Sequence, residues 1–246
     1  NDIALQEMGM NCEQSADDGT GGAGIAAGEK DVITAVDRAN GVVSFLNVAG
    51  NLGTLAVGDF LFRAGDYNNC LAGVQAWLTT PTAALFFGVN RTVDPVRLAG
   101  VKYAGGGAPI EDVVMDALAE LQINGGEADT LFLNNKRFAE LQKNTYSKTW
   151  VDVETDVPGI GFKALTFAGP TGQINVIGDP SCPYGKGLLA KRESWQLKSL
   201  NEAPHFATDD GNRLLRDASS DSVEFRIRSF HNLICMQPGH NCLITW

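Results

Sequence analysis

Apolar positions fall into three regimes along this chain. Between residues 30 and 80, short apolar runs alternate with glycine turns. Residues 32–36 predict a strand, residues 37–41 a turn with an Asn40-Gly41 step, and residues 42–46 its return. Asn-Gly favours positive φ and therefore a hairpin. Further strands are predicted at 60–62, entered through Gly58-Asp59, and at 74–78. Short strands cut by glycines point to a small antiparallel sheet or barrel. By contrast, residues 10–30 are polar and glycine-rich and predict a loop.

In the second regime the period changes. Gly105-Gly106-Gly107 leads to Pro109, where a helix can start because the first turn leaves its N–H unpaired anyway. Ile110, Val113, Val114, Ala117, Leu118 and Leu121 follow at helical spacing. Glu111, Asp112 and Asp116 lie near its start, where the helix dipole favours anions, and Gly125-Gly126 stops it. Residues 130–133 predict a short buried strand. Asn134 or Asn135 then caps a second helix through Phe138, Leu141 and Gln142, and residues 145–158 predict an exposed loop.

Strands return in the third regime, at 164–167 and 174–177 around a Gly169-Pro170-Thr171-Gly172 turn. Residues 201–221 are polar. Residues 223–228 alternate apolar and charged, as a strand with one wet face does, and 233–236 predict a buried strand. The class is α+β.

Composition sharpens this in a few places. The 28 glycines among 246 residues fit a chain of many turns. No apolar run approaches the ~18 residues of a membrane span, so no membrane partner is expected. Net charge is −10, which leaves no overall basic face for nucleic acid. Five scattered cysteines argue against a disulfide framework. Cys235, His240 and Cys242 have ligand chemistry, but their spacing fits no zinc pattern and a fourth ligand is missing, so a buried strand is expected there and no metal. Gly19-x-Gly21-x-x-Gly24 spells a dinucleotide fingerprint, yet polar residues 13–18 stand where its strand belongs and Gly28 interrupts its helix. The glycine loop before Pro109 lacks the Lys and Ser/Thr of a phosphate loop and reads as a plain strand-to-helix connection. With His205, His231 and His240 as its histidines, and no G-x-S-x-G or H-E-x-x-H, the chain offers no catalytic constellation and no cofactor site. The four tryptophans read as packing or interface anchors.

Three segments, in order, resemble the major capsid proteins of tailed bacteriophages, with the HK97-like coat fold. The first is Gly58-Asp59-Phe60-Leu61-Phe62-Arg63-Ala64-Gly65-Asp66-Tyr67, with Gly88-Val89-Asn90-Arg91-Thr92-Val93-Asp94-Pro95-Val96-Arg97-Leu98-Ala99-Gly100 downstream. The second is the 110–121 helix, Gly125-Gly126, then Leu131-Phe132-Leu133-Asn134-Asn135 and a short helix. The third runs from Val223 to Pro238. The resemblance covers roughly residues 30–246.

It implies axial and peripheral domains with a β-rich N-terminal subdomain. The expected divisions are a glycine-rich segment over 1–30, a β-rich subdomain with peripheral strands over 31–100, an axial domain over 101–205, and returning peripheral strands over 206–246. It implies a structural protein, not an enzyme, that assembles with itself into hexamers and pentamers. The expected product is an icosahedral head around double-stranded DNA held without sequence-specific contacts. Portal, scaffolding and decoration proteins are the further partners, and the expected location is the virion, after assembly in the bacterial host cytoplasm. Arg91, Asp94 and Arg97 are candidate contacts across or within subunits. The family's N-terminal arm, extended loop and spine helix have no match near the start, so an upstream portion is expected to be absent from this chain. An encapsulin-like nanocompartment shell is the neighbouring alternative; a soluble hydrolase with a carboxylate pair is the alternative from another class.

Overall fold

A computed structural model describes residues 6–15, 30–38, 41–46, 59–67, 71–82, 85–148, 165–169, 172–208, 211, 214–216 and 221–246. Near the N-terminus, β1 (Asn11–Ser15), β2 (Lys30–Asp37), β3 (Val42–Phe45) and β4 (Phe60–Arg63) form one antiparallel sheet in the order β3-β2-β1-β4. The hairpin of β2 and β3 is the expected one, and Gly41 has the positive φ that its turn requires. Two expectations fail here. Residues 11–15 form a strand where a polar loop was predicted. Pairing on both sides overrides the poor strand propensity of Asn, Glu and Gln, and it buries Glu13 and Gln14 beside Cys12. The polar run preceding the Gly19-x-Gly21-x-x-Gly24 spelling therefore begins in a strand, while that spelling itself lies outside the described residues. The predicted strand at 74–78 is a short helix, α1 (Val74–Trp77). Five residues with apolar side chains at alternate positions fit either period.

The main core lies further on. Its elements are α2 (Pro95–Ala99), β5 (Val101–Ala104), α3 (Ile110–Ile123), β6 (Thr130–Leu133), α4 (Asn135–Lys148), β7 (Leu165–Gly169), β8 (Gly172–Gly178) and β9 (Lys186–Ala190). α3 and β6 follow the predicted periodicity closely. α4 runs through Lys148, past the predicted loop start at 145. A ribbon of short strands follows: β10 (Trp195–Ser199), β11 (His205–Phe206), β12 (Leu215–Arg216), β13 (Val223–Glu224), β14 (Ile227–Arg228) and β15 (His231–Cys235). The final strand is β16 (Cys242–Thr245).

A six-stranded mixed sheet has the order β5-β16-β9-β6-β8-β7. The last strand thus lies between β5 and β9, parallel to the first and antiparallel to the second. The expected division at 206 sets 206–246 apart, whereas the sheet joins 242–245 to 101–190. Helix α3 lays Ile110, Val113, Val114, Ala117, Leu118 and Leu121 onto Leu131, Leu133, Val176, Leu189 and Ile244, with Leu141 of α4 closing the cluster. Each such side chain contributes roughly 1.5–3 kcal/mol on full burial. The glycine loop at 105–107 is the strand-to-helix connection predicted for it.

The C-terminal strands differ from expectation. Residues 223–228 form two short strands, β13 and β14, instead of one, and both faces stay exposed. The strand expected to be buried at 233–236 runs over 231–235, half-buried, and Met236 is exposed. A two-stranded ribbon has no second layer to cover its faces.

Gly100 shows how closely α2, α1 and the C-terminal turn meet. It has φ +74, and an added Cβ would lie 2.5 Å from Leu78 Cδ2 and 2.9 Å from the Asn241 carbonyl oxygen. Gly100→Ala is expected to destabilise the chain by about 2–3 kcal/mol. Gly106→Ala, at φ +57 in open space, is expected to cost about 1 kcal/mol. Urea denaturation of both variants checks the difference.

Candidate assembly surfaces

Asn241 is fully buried and sits where the sheet, the ribbon and the C-terminal turn converge. Its Oδ1 accepts from the Lys191 backbone N–H at 3.0 Å and from the Trp195 indole N–H at 2.9 Å. Its Nδ2 donates to the Gln237 carbonyl at 2.8 Å and to Ser194 Oγ at 3.2 Å. Its own carbonyl accepts from the Val101 N–H at 3.0 Å. Every polar atom of the side chain is therefore used, and the base of the ribbon is fixed to β5 and β9. Nothing in the sequence singled out Asn241; the available signal was a lone amide at the start of an apolar strand.

Arg91 plays a comparable part for α1. It is buried, and its guanidinium donates to the carbonyls of Ala76 (3.0 Å) and Trp77 (2.9 Å), two of the orphan acceptors at that helix end. It also lies 4.0 Å from the centre of the Phe86 ring. Burial lowers its pKa, and burial next to Arg91 lowers that of Lys102, whose ammonium donates to the carbonyls of Ala99 and Gly100. Trp77 stacks on Phe87 at 5.6 Å and donates its indole N–H to the Leu233 carbonyl, tying α1 to β15.

The other two predicted contact residues are at the surface. Asp94 caps α2 by accepting from the Arg97 N–H at 3.1 Å. The Arg97 guanidinium is 3.8 Å from the same carboxylate and 85% exposed, so the pair is worth ~0–1 kcal/mol. Around them Leu85, Phe87, Val89 and Val93 are also exposed. The structure thus separates the three: Arg91 bonds within the chain, while Asp94 and Arg97 face outward beside an apolar patch.

A groove of about 490 Å³ runs along the sheet face away from α3, between Phe132, Leu188 and Leu243 on one side and Val74, Leu233 and Trp195 on the other. Of the residues with ligand chemistry, Cys235 and Cys242 are buried, and His240 Nδ1 accepts from the Glu127 N–H. Among the described residues, no group of three or more His, Cys, Asp or Glu side chains is placed to hold a metal ion. No helix among them is long and apolar enough to cross a membrane.

A mixed sheet flanked by two helices, with an interrupted β-ribbon leaving it, is the α+β arrangement expected of the HK97-like coat fold. The family model described as SU10 major capsid protein matches residues 4–213. The chain belongs to the SU10 major capsid protein family. Among solved structures, the cyanophage A-1(L) capsid asymmetric unit superposes with a TM-score of 0.51 at 13% identity, over 74% of this chain and 60% of that one. The chain therefore spans about 60% of the length of that capsid chain. Two weaker likenesses are the satellite phage P4 procapsid including size determination (Sid) protein, at TM-score 0.33 and 12% identity over 63% of this chain and 41% of that one, and a virus-like particle from Pyrococcus furiosus, at 0.32 and 15% over 58% and 54%. The fold assignment rests on the first. No curated protein sequence matches the chain.

Two measurements test this local structure. Asn241→Ala strands an indole N–H and a backbone N–H in the interior, so it is expected to cost about 2–4 kcal/mol in urea denaturation. Burial pushes the Cys242 thiol up to about 12, so the folded chain keeps a proton that the unfolded chain loses near pH 9. Its contribution is present below pH 9 and lost as pH rises towards 12, by about 2 kcal/mol at pH 10.5. Cys242→Ala should show a correspondingly shallower alkaline loss of stability than the parent.

Proposed function

We propose that the chain is a shell subunit that tiles a closed icosahedral head from hexamers and pentamers of itself, around double-stranded DNA. The observation that carries this is a capsid-family match over residues 4–213 on a coat-protein fold. In this reading, the six-stranded sheet with α3 and α4 is the axial domain. The ribbon over 195–235 belongs to the peripheral domain, and the β1–β4 sheet is an added subdomain.

Asp94 and Arg97, with their exposed apolar neighbours, serve as contacts between subunits. Arg91 acts within the subunit by holding α1 under that patch. Portal, scaffolding and decoration proteins bind the same lattice, and assembly takes place in the host cytoplasm before the subunit reaches the virion. A net charge of −10 suits a container whose walls do not adhere to packed DNA. Its work is assembly, with no turnover of a substrate.

Electron microscopy of the purified native assembly tests the proposal. Closed shells of uniform size are expected; a persistent monomer or dimer counts against it.

A further inference from the structure

The ribbon carries a pattern that the isolated chain does not use. Its pairings are nested: Trp195 opposite Cys235 through Ser199 opposite His231, then His205 opposite Arg228 and Phe206 opposite Ile227, then Leu215 opposite Glu224 and Arg216 opposite Val223. These are successive stretches of one interrupted antiparallel arm. Its returning side, residues 223–235, reaches about 40 Å at ~3.3 Å per residue. Alternation sends Val223, Phe225 and Ile227 to one side and Glu224, Arg226 and Arg228 to the other. Phe206, opposite Ile227, joins the apolar side, with its ring 6.2 Å from that of Phe225. On the polar side Arg226 pairs with Glu224 at 2.9 Å.

Strict alternation encodes one dry face, yet that face is wet here. Val223, Phe225, Ile227 and Phe206 are 55%, 57%, 57% and 48% exposed. Leu200 and Phe230, joined by a backbone hydrogen bond where the arm is interrupted, are 80% and 53% exposed. The four side chains of the face itself leave on the order of 400 Å² open, about half of the ~800 Å² that each partner of a stable protein complex buries. Two strands without a covering layer are marginal in water.

We infer that the apolar face of this arm, Phe206, Val223, Phe225 and Ile227, is a subunit contact covered by a second copy of the chain. The inference rests on the shell reading above and adds the surface that makes the contact. A second copy fits because the chain belongs to a capsid-protein family, whose subunits meet further copies of themselves, and this face supplies about half of the area that one such contact needs.

Hydrogen exchange of the full chain, below and above the concentration at which it assembles, is the direct test. Amides of 223–228 should exchange freely in the dilute chain and slow by about tenfold or more on assembly. The double variant F225S/I227S should keep the parent's far-UV circular dichroism and need about tenfold or more higher concentration to assemble, read by sedimentation velocity. E224Q should assemble like the parent. Arm amides already slow in the dilute chain mean that the chain covers its own arm, which overturns the inference. So does assembly of the parent with arm exchange unchanged, and in that case the shell reading stands. A parent that stays monomeric at every concentration overturns both.

Discussion

The amide of Asn241 is the constraint on which the described architecture turns. A buried side-chain amide is costly unless both its acceptor and its donors are used. Here they are used by groups from separate parts of the chain: the end of β9, the start of β10, and the turn before β16. The same residue's carbonyl takes the first N–H of β5. One satisfied residue therefore fixes the position of the terminal strand within the sheet and the direction in which the ribbon leaves it. Gly100 and Arg91 depend on that placement. The glycine can approach the Asn241 carbonyl only without a side chain, and Arg91 secures α1, whose Trp77 reaches the Leu233 carbonyl.

The chain thus divides into a part that satisfies itself and a part that does not. Between α3 and β16, apolar residues meet apolar residues. The helix has a full buried stripe, and the sheet's inner positions alternate correctly beneath it. In the ribbon, alternation is just as regular, but its apolar side stays about half exposed among the described residues. Sheet and ribbon obey the same rule of patterning, and they differ in whether the covering layer lies within one chain. The proposed shell subunit would use this division: a centre packed by its own residues and an arm left for a neighbour.

What the sequence made legible follows from the range of the interactions involved. α3 was readable in full because its stripe, its prolyl start at Pro109 and its glycine stop at Gly125-Gly126 are all close neighbours in sequence. The β2–β3 hairpin was readable because its turn chemistry is local. β1 was not, since Glu13 and Gln14 are strand residues only by virtue of strands on either side of them. α1 was misread because four residues cannot separate a period of two from one of 3.6. Of the candidate contacts, Asp94 and Arg97 lie at the surface, whereas Arg91 is drawn inward by two carbonyls whose position depends on α1. Asn241 was invisible because its partners are brought to it by topology alone.

The alternating run at 223–228 shows why a misprediction can still inform. The pattern predicts a strand with one wet face over 223–228, and in the structure the apolar side is exposed as well. A sequence that keeps Val, Phe and Ile in register on one side while placing Glu, Arg and Arg on the other is specified for burial of the first set. Exposed in water, that face is also a liability, because a long apolar ribbon invites indiscriminate pairing. The interruptions at 200–204 and after Phe206 break the arm into short stretches, which limits unspecific strand addition while leaving the side-chain face intact for a partner of matching shape. An arm built in this way favours one partner of matching shape over many.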